Sequence, residues 1–215
     1  MKDLHIYGDS LLRGVIRDEN GAYHSSEYIG FAEIGKRHSV TIKNMSMPTF
    51  TSVQISEWMK RSFAYDCPPK AVLIECGGND CDMDWKAVAT DPSAPHTTRV
   101  SYDGFISAYT GMIEFLRSYG CEPIIGILPP FSPRKYCDFL VNSGIDRAVI
   151  EKVSDVDGGF GGRHVRINAG IREIAAKYRC RAVEIGKFFP HDPVQIDAVI
   201  GCDGIHPNSE GYALV

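Results

Sequence analysis

No apolar run among the 215 residues approaches the roughly 20 that a helix needs to cross a bilayer. No secretory leader is seen at the start either, which leaves open one that has been removed. Met1-Lys2-Asp3-Leu4-His5-Ile6 runs straight into a strand, with no apolar h-region and no small-residue cleavage site. The chain therefore reads as cytoplasmic, with no membrane span. A basic surplus is absent: 23 Lys and Arg face 27 Asp and Glu, for a net charge of −4. That balance argues against a nucleic-acid partner, which calls for a basic face. There is no Cys-x-x-Cys spacing among the seven cysteines, at 67, 76, 81, 121, 137, 180 and 202. An odd number in a leaderless chain reads as reduced thiols. Cys76 and Cys81 flank a turn, but a structural zinc needs four ligands, so small buried hydrophobes is the better reading and no metal site is expected. Walker-type glycine loops are also lacking, which disfavours phosphoryl transfer. No repeat, low-complexity tract or linker divides the chain. Residues 1–215 read as one domain, long enough to bury roughly 70% of its unfolded surface.

What is present is an alternation of short apolar runs with helical periods. Strands are expected at residues 4–7, 40–43, 71–76, 123–128 and 181–185. Several are apolar without alternation, as in strands buried on both faces of a parallel sheet. Helices are expected at 27–37, 52–63, 102–119 and 168–178. The clearest is 102–119, with Phe105, Ile106, Tyr109, Met112, Ile113 and Leu116 on one stripe and Gly120 as its stop. This alternation implies right-handed βαβ units in a three-layer α/β/α sandwich around a five-stranded, mainly parallel sheet. Two connections exceed ordinary length. Residues 82–101 carry Trp85 and His96. Residues 131–163 carry a possible helix at 146–153, then the glycine-rich 157–162, which reads as a flexible turn. The second segment is an insertion or lid, a dimer contact or a packed element.

Three places carry chemistry. In Gly8-Asp9-Ser10-Leu11 a strand stops at a turn, so Ser10 stands at the carboxyl end of a strand, where open α/β sheets build their sites. A serine hydroxyl needs a base, and Asp203-Gly204-Ile205-His206-Pro207 offers one. His206 can take the proton, with Asp203 three residues upstream to orient its ring. Attack on an ester also needs donors for the oxyanion. Asn79, in Gly77-Gly78-Asn79-Asp80, can supply a side-chain amide, and the Ser10 N–H a second donor. Asp9 and Asp80 read as turn residues. His5, His24, His38, His164 and His191 read as surface or internally satisfied. Trp85, His96 and Phe131 are candidates for the substrate pocket.

These three motifs resemble three of the four sequence blocks of the SGNH (GDSL-type) hydrolases, in the right order and over almost the whole chain. The resemblance implies a flavodoxin-like fold, a Ser10–His206–Asp203 triad, and Asn79 with the Ser10 N–H as oxyanion donors. It implies no cofactor and no metal. Its members hydrolyse carboxylic esters and thioesters, including acetylated sugars, lysophospholipids and short aryl esters. One block departs. Thr49 stands where the family has a glycine whose N–H is a third oxyanion donor, and threonine resists positive φ. Either the loop differs here or that donor is weakened. Residues 208–215 begin what resembles the family's last helix and stop, so the chain is short there or the fold closes differently.

The expectation is a serine esterase acting on a small-molecule ester with a short acyl or O-acetyl group, carried on a carbohydrate in one version. A thioesterase, a lysophospholipase or an acyltransferase could use the same triad. A flavodoxin-like module that binds without turnover is the alternative from another class. The oligomeric state is left open.

Overall fold

The computed structural model describes residues 2–18, 20–25, 29–65, 67–155 and 158–215. In chain order, β1 (Lys2–Tyr7) leads into a single-turn helix α1 (Ser10–Arg13), then a two-stranded hairpin of β2 (Val15–Arg17) and β3 (Tyr23–Ser25). Next come α2 (Phe31–His38), β4 (Val40–Asn44), α3 (Ser52–Phe63), β5 (Ala71–Ile74), α4 (Trp85–Thr90), α5 (Tyr102–Ser118) and β6 (Glu122–Ile127). The chain ends with α6 (Pro133–Asn142), α7 (Arg147–Ser154), α8 (Gly159–Lys177), β7 (Arg181–Glu184), α9 (Pro193–Val199) and α10 (Ser209–Tyr212).

The main sheet runs β4-β1-β5-β6-β7, and every pair is parallel. Counted along the chain, that order is 2-1-3-4-5, the flavodoxin-like arrangement, with its switch point between β1 and β5. Alternation along the strands sorts side chains to two cores. Tyr7, Val72 and Ile74 face one side, packing with Ile55, Phe105, Tyr109, Ile113, Ile167 and Ile171 of α3, α5 and α8. Ile6 and Leu73 face the other, with Leu11, Leu12, Phe31, Ile42 and Tyr212. The result is an α/β/α sandwich.

The five sheet strands fall where the apolar runs put them, and α3 spans the expected residues. For the expected helix 27–37, Glu27 and Tyr28 lie outside the described residues, and α2 begins at Phe31. Asp157 of the glycine-rich stretch also lies outside them. The rest of that stretch is not a flexible turn. Gly159, Gly161 and Gly162 form the first turn of α8. Phe160, Arg163, His164, Ile167, Ile171 and Ile174 keep a helical period through the glycines. Packing of that stripe offsets the roughly 1 kcal/mol that each interior glycine costs. The 131–163 segment folds as α6, α7 and the start of α8, closed around Tyr136, Leu140, Ile145 and Ile150. Among the described residues, no helix is long and apolar enough to cross a membrane.

Candidate active site

The loops that follow β1, β4, β5 and β6 meet at the carboxyl edge of the sheet beside the switch point. Asp9 caps α1, its Oδ1 accepting the Leu11 N–H at 3.0 Å. This sets Ser10 as the first helical residue, and among the described residues nothing accepts its backbone N–H. The turn at 203–206 comes from the far end of the chain. It is pinned where the carbonyl of Gly204, at φ 78°, accepts the Ser132 N–H at 2.8 Å. A Cβ at Gly204 would lie 2.2 Å from the Tyr136 backbone nitrogen, so only glycine permits this approach.

Ser10, His206 and Asp203 are brought together. Asp203 Oδ1 accepts the backbone N–H groups of Ile205 and His206 at 3.0 Å each. Its Oδ2 lies 2.7 Å from His206 Nδ1. A carboxylate only accepts, so Nδ1 carries the proton and Nε2 is left to accept the Ser10 hydroxyl, 2.8 Å away. Burial works to raise the Asp203 pKa. The hydrogen bond and charge of His206, with the two N–H groups, outweigh it and hold the carboxyl below its ordinary value. The Asp203 side chain is 1% exposed and that of His206 12%. The pair is therefore dry, and its attraction is stronger than it would be in water.

Asn79 reaches the same edge. Gly77, at φ 133°, allows the turn, because a Cβ there would sit 2.6 Å from Ile167 Cγ2. Asp80 is more than a turn residue. Fully buried, it accepts both the N–H and the hydroxyl of Ser52, tying this turn to the start of α3. The Asn79 amide donates to Phe50 O at 3.1 Å and to Asp9 Oδ2 at 3.2 Å. Its oxygen lies 3.4 Å from Arg99 Nη1, and Arg99 Nη2 reaches Thr49 O at 3.3 Å.

Thr49 has a φ of 66°. It is the third residue of a turn from Met47 to Phe50, closed by Phe50 N–H to Met47 O at 3.4 Å, with Pro48 second. Proline followed by positive φ is the type II pattern that favours glycine. The loop thus keeps a glycine-like backbone despite its threonine. Among the described residues, the Thr49 N–H has no hydrogen-bond partner.

Beside Ser10 and His206 opens a cavity of about 110 Å³. Leu128, Pro129, Pro130 and Phe131 form one wall, and Tyr136, Phe160 and His164 another. Tyr136 and Phe160 meet edge to face at 5.0 Å, and Trp85 packs behind them. Asp82 fixes this group by accepting from Tyr136 Oη at 2.8 Å and from Trp85 Nε1 at 2.9 Å.

Residues 6–214 match the GDSL-like lipase/acylhydrolase family. The chain belongs to that family. It is an ester hydrolase of the GDSL type. Solved structures that resemble it over its whole length include a lipase/acylhydrolase from Enterococcus faecalis, with a TM-score of 0.68, 16% identity and 91% of that chain covered. Another is Est24, a carbohydrate acetylesterase from Sinorhizobium meliloti, with a TM-score of 0.67, 15% identity and 94% covered. The esterase EstA from a Pseudoalteromonas species follows at 0.62, 14% and 92%. At such identities the likeness is one of fold. No curated protein sequence matches significantly.

Within this GDSL-type hydrolase, Phe131 lines the cavity, whereas Trp85 stands one layer behind it. His96 does not reach it. Its loop folds back through a bridge between Met83 and Thr98, and its Nε2 lies 2.8 Å from Asp91 O. His164, expected at the surface or internally satisfied, is buried in the cavity wall 5.0 Å from Phe131. Burial pushes its pKa down to about 4, the Arg172 charge adds to this, and a hydrogen bond with Pro129 opposes it. His164 is therefore a neutral ring at physiological pH. Glu75 was hidden in an apolar run, yet it lines the cavity, 1% exposed, with its Oε2 unpartnered. Burial, then the charge of Asp9, pushes it well above the ordinary carboxyl range. A lone acid in a strand buried on both faces was the signal that could have found it.

Proposed function

We propose that this hydrolase is a serine esterase for small esters, with Ser10 as nucleophile, His206 as general base and Asp203 as the orienting carboxylate. The observation that carries the reading is the unbroken chain from Asp203 Oδ2 to Nδ1 at 2.7 Å and from Nε2 to Ser10 Oγ at 2.8 Å. Ser10 Oγ bonds to the ester carbonyl carbon while its proton passes to His206 Nε2. The resulting oxyanion is met by the Ser10 N–H, the Thr49 N–H and the Asn79 amide. The carbon–alkoxide bond then breaks, and the alcohol leaves with the proton from Nε2. Water, deprotonated by His206, attacks the acyl-Ser10, and the acid departs as Ser10 recovers its proton.

A short acyl group is favoured. The cavity is smaller than the roughly 150 Å³ that accepts benzene, and long chains would have to run outside it. An O-acetyl group on a carbohydrate fits these limits, and a relative in fold, Est24, is a carbohydrate acetylesterase. The test pairs a fluorophosphonate probe with p-nitrophenyl acetate turnover, on wild type and Ser10→Ala. An adduct on Ser10 and turnover lost with it support the esterase. A folded wild type that neither labels nor turns over substrate would return the weight to a binding module.

A further inference from the structure

The β2–β3 hairpin belongs to neither the main sheet nor the cavity wall. Two three-residue strands are marginal on their own. Val15, Ile16 and Arg17 of β2 hold this pair in place. Tyr212 Oη donates to Val15 O at 2.8 Å, and Ile16 packs on the core beneath. The Arg17 guanidinium lies 5.1 Å over the Phe139 ring of α6 and 5.7 Å over Tyr23, with Nη1 3.3 Å from Cys202 Sγ. Arg17 thus ties the hairpin both to α6 and to the residue preceding Asp203.

The effect of this clamp is to hold Tyr23 against His206. Their ring centroids are 5.7 Å apart and their planes meet at 72°, an edge-to-face pair. Tyr23 is half-exposed, and its partial burial, then the Asp203 charge, pushes its phenol up to about 12 against the Arg17 charge. The phenol therefore stays protonated. Asp203 and Ser10 fix the two imidazole nitrogens. Bonds at these two atoms leave tilting about the line that joins them to be opposed by packing.

We propose that Tyr23 is a positioning residue for His206: the hairpin presses its ring against the imidazole, blocks that tilt and keeps water from the His206–Asp203 bond. The proposal rests on the reading of Ser10, His206 and Asp203 as the triad. Tyr23 does not line the cavity, so its removal should act on turnover and not on substrate binding.

The experiment measures p-nitrophenyl acetate kinetics and the fluorophosphonate labelling rate of Ser10 in wild type, Tyr23→Ala, Tyr23→Phe and Tyr65→Ala. Tyr65 is 91% exposed and serves as a control of the same chemical type. Tyr23→Ala should lower kcat by about tenfold or more, slow labelling in parallel, and leave KM within about threefold. Tyr23→Phe keeps the ring and should recover at least about half of wild-type kcat. Tyr65→Ala should match wild type. Wild-type kcat in Tyr23→Ala overturns the proposal, as does a loss confined to KM, which would make Tyr23 a substrate contact. A Phe variant as slow as Ala also overturns it, by moving the effect to the phenol. Should Tyr23→Ala not fold, Tyr23→Thr keeps a strand-favouring residue without the ring and is read in the same way. A wild type that does not label sinks the triad reading itself. That is distinct from a labelled wild type whose Tyr23 variants are fully active.

Discussion

Asn79 and Asp9 are joined by a 3.2 Å hydrogen bond from the amide Nδ2 to Asp9 Oδ2, and the same nitrogen donates to Phe50 O at 3.1 Å. Both amide hydrogens are thus engaged before any substrate arrives. For Asn79 to hold an oxyanion, one of these bonds must be exchanged for one to the developing charge. The exchange is favourable because the new acceptor carries more charge than a carbonyl. It also means that the donor is aimed in advance by its resting partners. The first prediction follows from the loss of such a donor. Asn79→Ala should lower kcat by about 10²–10³ and leave KM nearly unchanged. Steady-state kinetics on p-nitrophenyl acetate decide it. A fall in KM alone, or no change, would remove Asn79 from the oxyanion site.

Asp9 supports a second prediction. Burial raises its pKa to about 6, against the Leu11 N–H and the His206 charge, with Asp80 adding to the rise. Glu75 shares the same buried floor. The folded protein therefore keeps the Asp9 proton to a higher pH than the unfolded chain does. Stability from this group is full below pH 4 and declines as pH rises toward about 6, where the charge must be carried in a buried site. At roughly 1.36 kcal/mol per unit, the decline is on the order of 3 kcal/mol. Asp9→Asn keeps a capping oxygen for the Leu11 N–H and never ionises. Its stability relative to wild type should grow between about pH 4 and 6 and then level off. Urea unfolding at several pH values measures this, and a difference that stays flat across the range would contradict it.

The residues that were legible in the sequence share one property: each belongs to a short motif within a turn. Asp203 and His206 lie in one turn, so their spacing already implied contact, and Ser10 was marked by the halt of β1 at Gly8. The residues that were not legible reach the site through tertiary packing. Tyr23 stands on a three-residue strand too short to show a period. Phe160 and His164 face the cavity only because α8 starts within a glycine-rich stretch that reads locally as a turn. Trp85 was placed near the site from its loop, but Asp82 holds its indole nitrogen and turns it into backing for Tyr136 and Phe160. His96 was lost for the same kind of reason, since its loop folds back on its own carbonyls.

Thr49 supports a third prediction. A β-branched residue at φ 66° is strained, at a cost of roughly 1–2 kcal/mol for the left-handed region. Glycine would relieve this, but it adds roughly 0.5–1 kcal/mol of unfolded-state entropy. Thr49→Gly should therefore be neutral or stabilising by up to about 1 kcal/mol, a rise in Tm of no more than about 4 °C. Its N–H keeps its direction, so kcat should not fall. Thermal melts with parallel kinetics test both halves, and a clear loss of Tm would show that the threonine side chain makes a contact worth more than the strain.

The last prediction concerns the size of the acyl group. The cavity wall is stiff, because Tyr136 and Phe160 are packed edge to face and Asp82 ties Tyr136 and Trp85 in place. A stiff wall around about 110 Å³ discriminates by volume. Across p-nitrophenyl esters of increasing length, kcat/KM should peak at a short chain and drop once the chain outgrows the space. Each methylene that fits is worth about 0.8 kcal/mol, close to fourfold, and each that does not fit loses that gain and adds strain. Phe160→Ala removes a ring from the wall without touching Ser10, His206 or Asp203. It should move the optimum to a longer chain and lower kcat/KM for acetate by less than about tenfold, since the acetyl group needs little of that wall. An optimum that does not move would mean that the acyl chain lies outside the cavity, on the opposite side of the Ser10 carbonyl, and that the alcohol occupies the aromatic pocket instead.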